Sequence, residues 1–150
     1  LEAKEAEGKQ LAEDMIHRLE LINENILNIS QYSTGLIDQY VVKLKDRIKE
    51  MLQTDIVDEA RISQEVVLYA DKTSIEEEIT RLKSHIVQFK ELLQSESIKK
   101  AGKRLDFIIQ EMNREVNTIG SKSNCLEITN LVIELKTELE DVREQVQNIE

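Results

Sequence analysis

An all-α fold, elongated, built on a long helical hairpin and carrying an oligomerising surface, is the architecture this sequence predicts, and three observations predict it. No proline occurs in 150 residues and glycine occurs four times, at Gly8, Gly35, Gly102 and Gly120, so few positions enforce a break. Apolar residues recur at steps of three and four along most of the chain. Trp is absent and only three Tyr and two Phe are present, so Leu, Ile and Val must fill the core. A chain of this length supports one helical domain, or an assembly that completes its core by association.

The first helical stripe is Leu11, Met15, Leu19, Ile22, Ile26 and Ile29, and residues 30–35 read as a break after it. Leu36, Ile37, Tyr40, Val41, Leu44, Ile48 and Met51 resume a helix that pauses near Thr54 and Asp55. Ile62, Val66, Val67 and Tyr69 then run towards Asp71. Thr73 or Ser74 is the expected N-cap of the next helix, because Ser74 and Glu77 have capping-box spacing. Its stripe is Ile75, Ile79, Leu82, Ile86, Phe89 and Leu93, followed by a turn within residues 95–102.

A further helix is expected from Gly102 or Lys103 to about Thr118, with Gly120 suited to a positive-φ cap and Ser121, Ser123 and Asn124 to side-chain caps. The last stripe, Ile128, Leu131, Leu135, Leu139, Val142, Val146 and Ile149, suits a helix hairpin or short coiled coil. Arg143, Glu144, Gln145 and Asn148 beside it are candidate interface groups.

Twenty Lys and Arg against thirty Asp and Glu give a formal charge of -10, which offers no bulk attraction to a polyanion. The balance differs locally. Residues 102–122 carry Lys103, Arg104, Arg114 and Lys122 against Asp106, Glu111 and Glu115, a net of +1. Cys125 is the single cysteine, so no intrachain disulfide or thiolate metal cluster forms and a reducing compartment is expected. Neither a secretory leader nor a membrane-spanning run is read in the sequence, and Leu1 is not expected to be the natural start. No Gly-rich phosphate loop, paired-cysteine motif, zinc-protease signature or serine elbow occurs, which gives classical ATPases, zinc fingers and common hydrolases little support.

Residues 102–122, GKRLDFIIQEMNREVNTIGSK, stand out because solubility alone needs only Lys and Glu on the polar face, whereas this face is chemically varied. Followed by ITNLVIELKTELEDVREQVQNIE (128–150), the segment resembles the C-terminal half of the YicC-like, or YloC-like, bacterial endoribonuclease family. RISQEVVLYADKTSIEEEITRLKSHIVQFKELL (61–93) and EGKQLAEDMIHRL (7–19) are similar to preceding blocks of the same family. The likeness covers nearly the whole chain, and the family's N-terminal domain is absent from it. Family members often have a proline near residues 30–36, and this chain has none.

The resemblance implies a cytoplasmic bacterial protein, a ring-like or clam-like homo-oligomer without membrane attachment, that cleaves RNA with help from a divalent cation, Mg2+ or Mn2+. It also implies that acidic residues of this region take part in cleavage.

Glu111 and Glu115, four apart on a helix, project to one side and offer the oxygen ligands that such hard cations take. Glu111 and Arg114 alternatively form a plain surface ion pair. Asp71 and Glu78 are the further metal-ligand candidates, although three glutamates, Glu76 to Glu78, in a first turn are also what the helix dipole selects. Glu78, His85, Glu111 and Glu115 are the catalytic candidates, with His85 available as a base towards a ribose 2′-hydroxyl or as an ordinary structural histidine.

Arg81, Lys103, Arg104, Arg114 and Lys122 are the phosphate-contact candidates. Asn117, Thr118, Gly120, Ser121 and Lys122 form either an interhelical turn or an anion-facing one. Phe107 is read as core before it is read as a base-stacking ring. Metal-assisted RNA cleavage is the preferred reading, since acids far outnumber histidines. A non-catalytic helical oligomerisation or RNA-binding module is its competitor.

Overall fold

The computed structural model describes residues 2–53 and 58–149 and contains six helices among them: α1 (Glu2–Thr34), α2 (Leu36–Leu52), α3 (Glu59–Thr73), α4 (Glu76–Ser95), α5 (Ile98–Lys122) and α6 (Leu126–Ile149). The pause expected at Thr54 and Asp55 lies outside the described residues, as does the side chain of Ile149.

Four helices make the body of the molecule. α5 packs on α6 and α4, and α1 packs on α6 and α4, which closes a ring of neighbours. Paired cross-links show two antiparallel neighbours: Arg18 with Asp141 and Asn25 with Glu138 join α1 to α6, and Arg81 with Glu115 and Lys122 with Glu78 join α4 to α5, while Arg143 with Asp106 ties α6 back onto α5 across their short connection. The expected helical hairpin is α5 and α6, but its apolar faces close a four-helix core instead of standing alone.

That core is the set of stripes read from spacing. Met15, Leu19, Ile22, Ile26 and Ile29 of α1 meet Leu82, Ile86 and Phe89 of α4, Leu105, Ile109, Met112, Val116 and Ile119 of α5, and Leu135, Leu139, Val142 and Val146 of α6 in one buried cluster. Leu131 only flanks it, and Val132 is buried in its place.

α2 and α3 form an arm inserted between α1 and α4. The break at residues 30–35 shrinks to Gly35, which keeps near-helical dihedrals (φ -88°, ψ -7°) while its carbonyl accepts from Gln39 N at 3.2 Å. The chain therefore bends out of α1 into α2 instead of stopping. α2 has no buried residue and α3 only Ile62, so the arm is held chiefly by its own contacts, including Tyr40 and Tyr69 stacked at 3.9 Å. A 33-residue α1 spans about 50 Å, and the added arm makes the molecule elongated.

Three boundary expectations are corrected. Ser74 does not cap α4 with Glu77: it ends α3 with extended dihedrals, Ile75 is the cap residue without a side-chain bond, and the Ser74 carbonyl accepts from Lys122 Nζ at 3.1 Å. α5 begins at Ile98 because Ser97 Oγ accepts from Lys100 N at 3.4 Å, which puts Gly102 inside the helix, where it is buried. α5 also runs on to Lys122, and no glycine among the described residues has positive φ. Gly120 serves close packing: a Cβ there would lie 3.3 Å from a Val132 methyl of α6.

Candidate functional site

The sequence candidates gather mainly along one seam between α4 and α5. At about 100° per residue, Glu78, Arg81 and His85 share one flank of α4, and Arg104, Ile108, Glu111, Glu115 and Lys122 share the facing flank of α5. Two cross-links fix the register. Lys122 Nζ donates to Glu78 Oε1 at 2.6 Å, and Arg81 lies 3.7 Å from Glu115. One turn further along each helix, His85 and Glu111 stand at the same level.

Burial sets the electrostatics. The side chains of Glu78 and Glu115 are only 4% and 9% exposed, and each faces a cation across the seam. Arg81 also bonds Glu77 at 2.6 Å on its own helix, so its guanidinium spans two carboxylates. Arg is suited to that because its planar fork presents several donors at once. Glu78 Oε2 and His85 Nδ1 are buried and have no hydrogen-bond partner.

Other candidates lie elsewhere. Asp71 lines a cavity of about 590 Å3 between the end of α1, α3 and the start of α4, together with Glu76 and Thr80. Those α4 residues are on the flank opposite Glu78 and Arg81, so the structure does not bring Asp71 to Glu111 and Glu115. Arg114 is exposed on the outer face of α5, 4.0 Å from Glu111, as the plain ion-pair reading had it. Lys103 and Arg104 are exposed near the other end of the seam, and Arg104 pairs with Glu96 at 3.3 Å.

The anion-facing turn at residues 117–122 is not formed, because these residues remain helical. Thr118 Oγ1 donates back to the Arg114 carbonyl at 3.0 Å and Ser121 Oγ to the Thr118 carbonyl at 2.9 Å. Arg143 is drawn into the monomer by Asp106 at 3.6 Å and Glu140 at 3.8 Å. Phe107 is not core: it is 61% exposed. Spacing alone signals that exposure, since Phe107 falls off the Leu105, Ile108, Ile109, Met112 stripe.

Among the described residues, no group of three or more His, Cys, Asp and Glu side chains comes together as a metal site. Mg2+ is often held by one or two carboxylates, with water and a substrate phosphate completing its shell. Glu111 and Glu115 have the donor type and the i,i+4 spacing for that lighter requirement, and Glu115 already faces Arg81 at 3.7 Å. Among the described residues no helix is long and apolar enough to cross a membrane.

Comparison with known proteins bears on the same residues. The family described as Endoribonuclease YicC-like, C-terminal, matches residues 29–150, which includes the whole seam. A protein named Probable endoribonuclease YicC from Clostridioides difficile (strain 630) is 53% identical over 151 aligned residues, covering 99% of this chain and 50% of that protein. A protein of the same name from Haemophilus influenzae is 32% identical over 144 residues, covering 96% of this chain and 49% of that protein. The chain thus spans about half the length of these relatives.

Proposed function

The chain belongs to the YicC-like endoribonuclease family, and from that premise we propose that it is the helical part of an enzyme that cleaves RNA phosphodiester bonds along the α4–α5 seam. The observation that carries the proposal is the convergence of Arg81, His85, Glu111 and Glu115 on one seam of a family member.

In this reading Glu111 and Glu115 hold a divalent cation, Mg2+ or Mn2+, which when bound supplies Lewis acidity and an activated water. Arg81, already aimed across the seam at Glu115, contacts the phosphate and stabilises charge that develops on its oxygens. Lys122 supports the same surface from one end, and Glu78 fixes its ammonium there. A direct ligand role for Glu78 would require Lys122 to leave it, so positioning is the simpler assignment. Lys103, Arg104 and Arg114 take flanking phosphates, a backbone contact that positions the strand without reading sequence.

His85 opens a second route to the same products' parent bond. Its Nδ1 is buried, so Nε2 is the nitrogen that would take a 2′-hydroxyl proton; the 2′-oxygen would then attack phosphorus, the bond to the 5′-oxygen would break, and a 2′,3′-cyclic phosphate would remain. Metal-assisted hydrolysis leaves no cyclic product and does not need the 2′-hydroxyl.

One observation favours a non-catalytic RNA-binding or oligomerising module instead: Glu78 and Glu115 both already face cations of their own chain. Matched RNA and DNA oligonucleotides, incubated with the protein in Mg2+, Mn2+ or chelator, separate the readings. RNA cleavage that needs metal and is lost in Glu111→Gln and Glu115→Gln, with helicity retained, is the expected result. Cleavage unchanged in both variants defeats the site assignment, and RNA binding without turnover in any metal favours the module.

The arm is the proposed homo-oligomer contact, since it exposes Val42, Met51, Leu52, Val67 and Leu68 away from the bundle core.

A further inference from the structure

Beyond the acidic stretch, the α4–α5 seam opens at its other end into a groove of about 570 Å3. Glu91 and Leu92 of α4 and Lys103, Arg104, Phe107 and Ile108 of α5 are among the residues that line it, so two cations face one carboxylate there. Phe107 is 61% exposed here, in a chain with only two phenylalanines. The other, Phe89, is fully buried. An exposed ring beside an apolar floor of Leu92 and Ile108 is a flat surface on which a planar ligand can lie.

The charge beside that ring is of one dominant sign. Lys99, Lys100, Lys103 and Arg104 put four cations within six residues, all exposed, in a protein of net charge -10. They occupy the first turns of α5, which has no acidic residue in its first turn. A helix dipole disfavours cations in that place, so helix stability does not account for them. Arg104 is 68% exposed and its pair with Glu96 is a solvent-exposed one, so its guanidinium remains available to a second anion.

We propose that this groove binds one unpaired nucleotide of an RNA strand, with the base stacked on Phe107 and the adjoining phosphates on Lys103 and Arg104. The assignment rests on the RNA reading above and adds where a base is gripped. Stacking of a base on an aromatic face is tolerant of base identity, so the groove holds a nucleotide of any sequence. Its position also matters for the reaction. Glu111 lies one helical turn, about 6 Å along the axis, beyond Phe107, and Glu115 about 12 Å beyond it. A nucleotide held at Phe107 therefore places the next phosphates of the same strand at the acidic stretch, and an unpaired base at this point is what lets the strand enter. Duplex RNA, whose bases are stacked on one another, cannot offer a face to the ring.

The test is binding of fluorescein-labelled single-stranded RNA to the full chain, read by anisotropy with divalent cations chelated so that no turnover intervenes. Phe107→Ala is expected to weaken binding about tenfold or more, Phe107→Trp to stay within about threefold, and duplex RNA to be insensitive to both. The paired change Lys103→Ala with Arg104→Ala is expected to lower the salt dependence by close to two phosphate contacts. A fully abasic strand of the same length, which has no base to stack in any register, should bind wild type and Phe107→Ala alike. Equal binding of intact single strands by wild type and Phe107→Ala overturns the groove while leaving the RNA reading in place. No RNA binding by the unsubstituted chain overturns both. Altered subunit number in Phe107→Ala, with unchanged RNA affinity per subunit, overturns the proposal in favour of a protein contact. Circular dichroism of each variant checks that helicity is kept, as substitution of an exposed side chain permits.

Discussion

Lys122, in the last turn of α5, holds the buried carboxylate of Glu78, in the first turn of α4, at 2.6 Å, and so ties together two segments 44 residues apart. The partners are unequal. Glu78 is 4% exposed and Lys122 31%. Removing the lysine leaves a desolvated charge with no counter-ion, whereas removing the glutamate leaves an ammonium that can reach water. Lys122→Met should therefore cost about 3 kcal/mol and Glu78→Met less, with the double substitution recovering most of the loss. Urea unfolding followed by helical ellipticity gives all three values, and equal costs for the two single changes would contradict the asymmetry.

Glu138 carries the opposite kind of perturbation. Burial pushes its carboxyl above the ordinary range, the neighbouring Glu134 charge adds to this, and the bond from Asn25 at 2.8 Å offsets only part. A carboxyl raised on folding contributes stability that is present below its unfolded value and lost as pH rises through the raised one. Glu138→Gln keeps an oxygen for Asn25 and removes the charge. At neutral pH it should raise stability by about 0.5 kcal/mol after allowance for solvent screening, and the gain should vanish in acid. Thermal melts at pH 7 and pH 4 test this, and a gain that persists unchanged at pH 4 would sink it.

The α2–α3 arm has too little buried surface to be explained by the fold alone. Val67 and Leu68, exposed together on α3, are the residues whose replacement should disturb self-association without harming the bundle. Val67→Asp with Leu68→Asp should reduce subunit number in sedimentation velocity while leaving the melting temperature of the body nearly unchanged. An assembly of unaltered size would remove the arm from the interface.

The helices and their core faces were legible in the sequence because spacing alone fixes which side of a helix is apolar. Leu105, Ile109, Met112 and Val116 could be assigned without coordinates. Their partners could not, because periodicity says that a face is buried and not against what: the closure of α1 against both α4 and α6 depends on where the arm leaves and returns. The capping box at Ser74 and Glu77 does not form. The helix starts one residue later, at an Ile75 cap, and the Glu77 carboxylate that the box needs is bonded by Arg81 at 2.6 Å. Within the candidate site, Glu111 and Glu115 were readable as a helical pair, but Arg81 opposite Glu115 is a tertiary pairing that no spacing rule contains. The exposure of Phe107 is written in its spacing, one residue off the Leu105, Ile108, Ile109 and Met112 stripe, although ring hydrophobicity alone favours the core.

Arg81 offers the sharpest separation of chemistry from architecture. Its guanidinium reaches Glu77 at 2.6 Å and Glu115 at 3.7 Å, and it is half exposed, so a third partner can still approach. Lysine keeps the charge but has no fork with which to engage both carboxylates and a phosphate oxygen. Arg81→Lys should fold with a loss of no more than about 1 kcal/mol, because lysine keeps a cation opposite the buried Glu115. Its effect on cleavage should be much larger. If the guanidinium stabilises charge that grows in the transition state, kcat falls about 100-fold while KM for RNA changes little. Arg81→Ala should lose the same factor in kcat and also weaken RNA binding. A lysine variant with unaltered kcat would show that Arg81 only braces the seam, and its place in the proposed chemistry would be withdrawn.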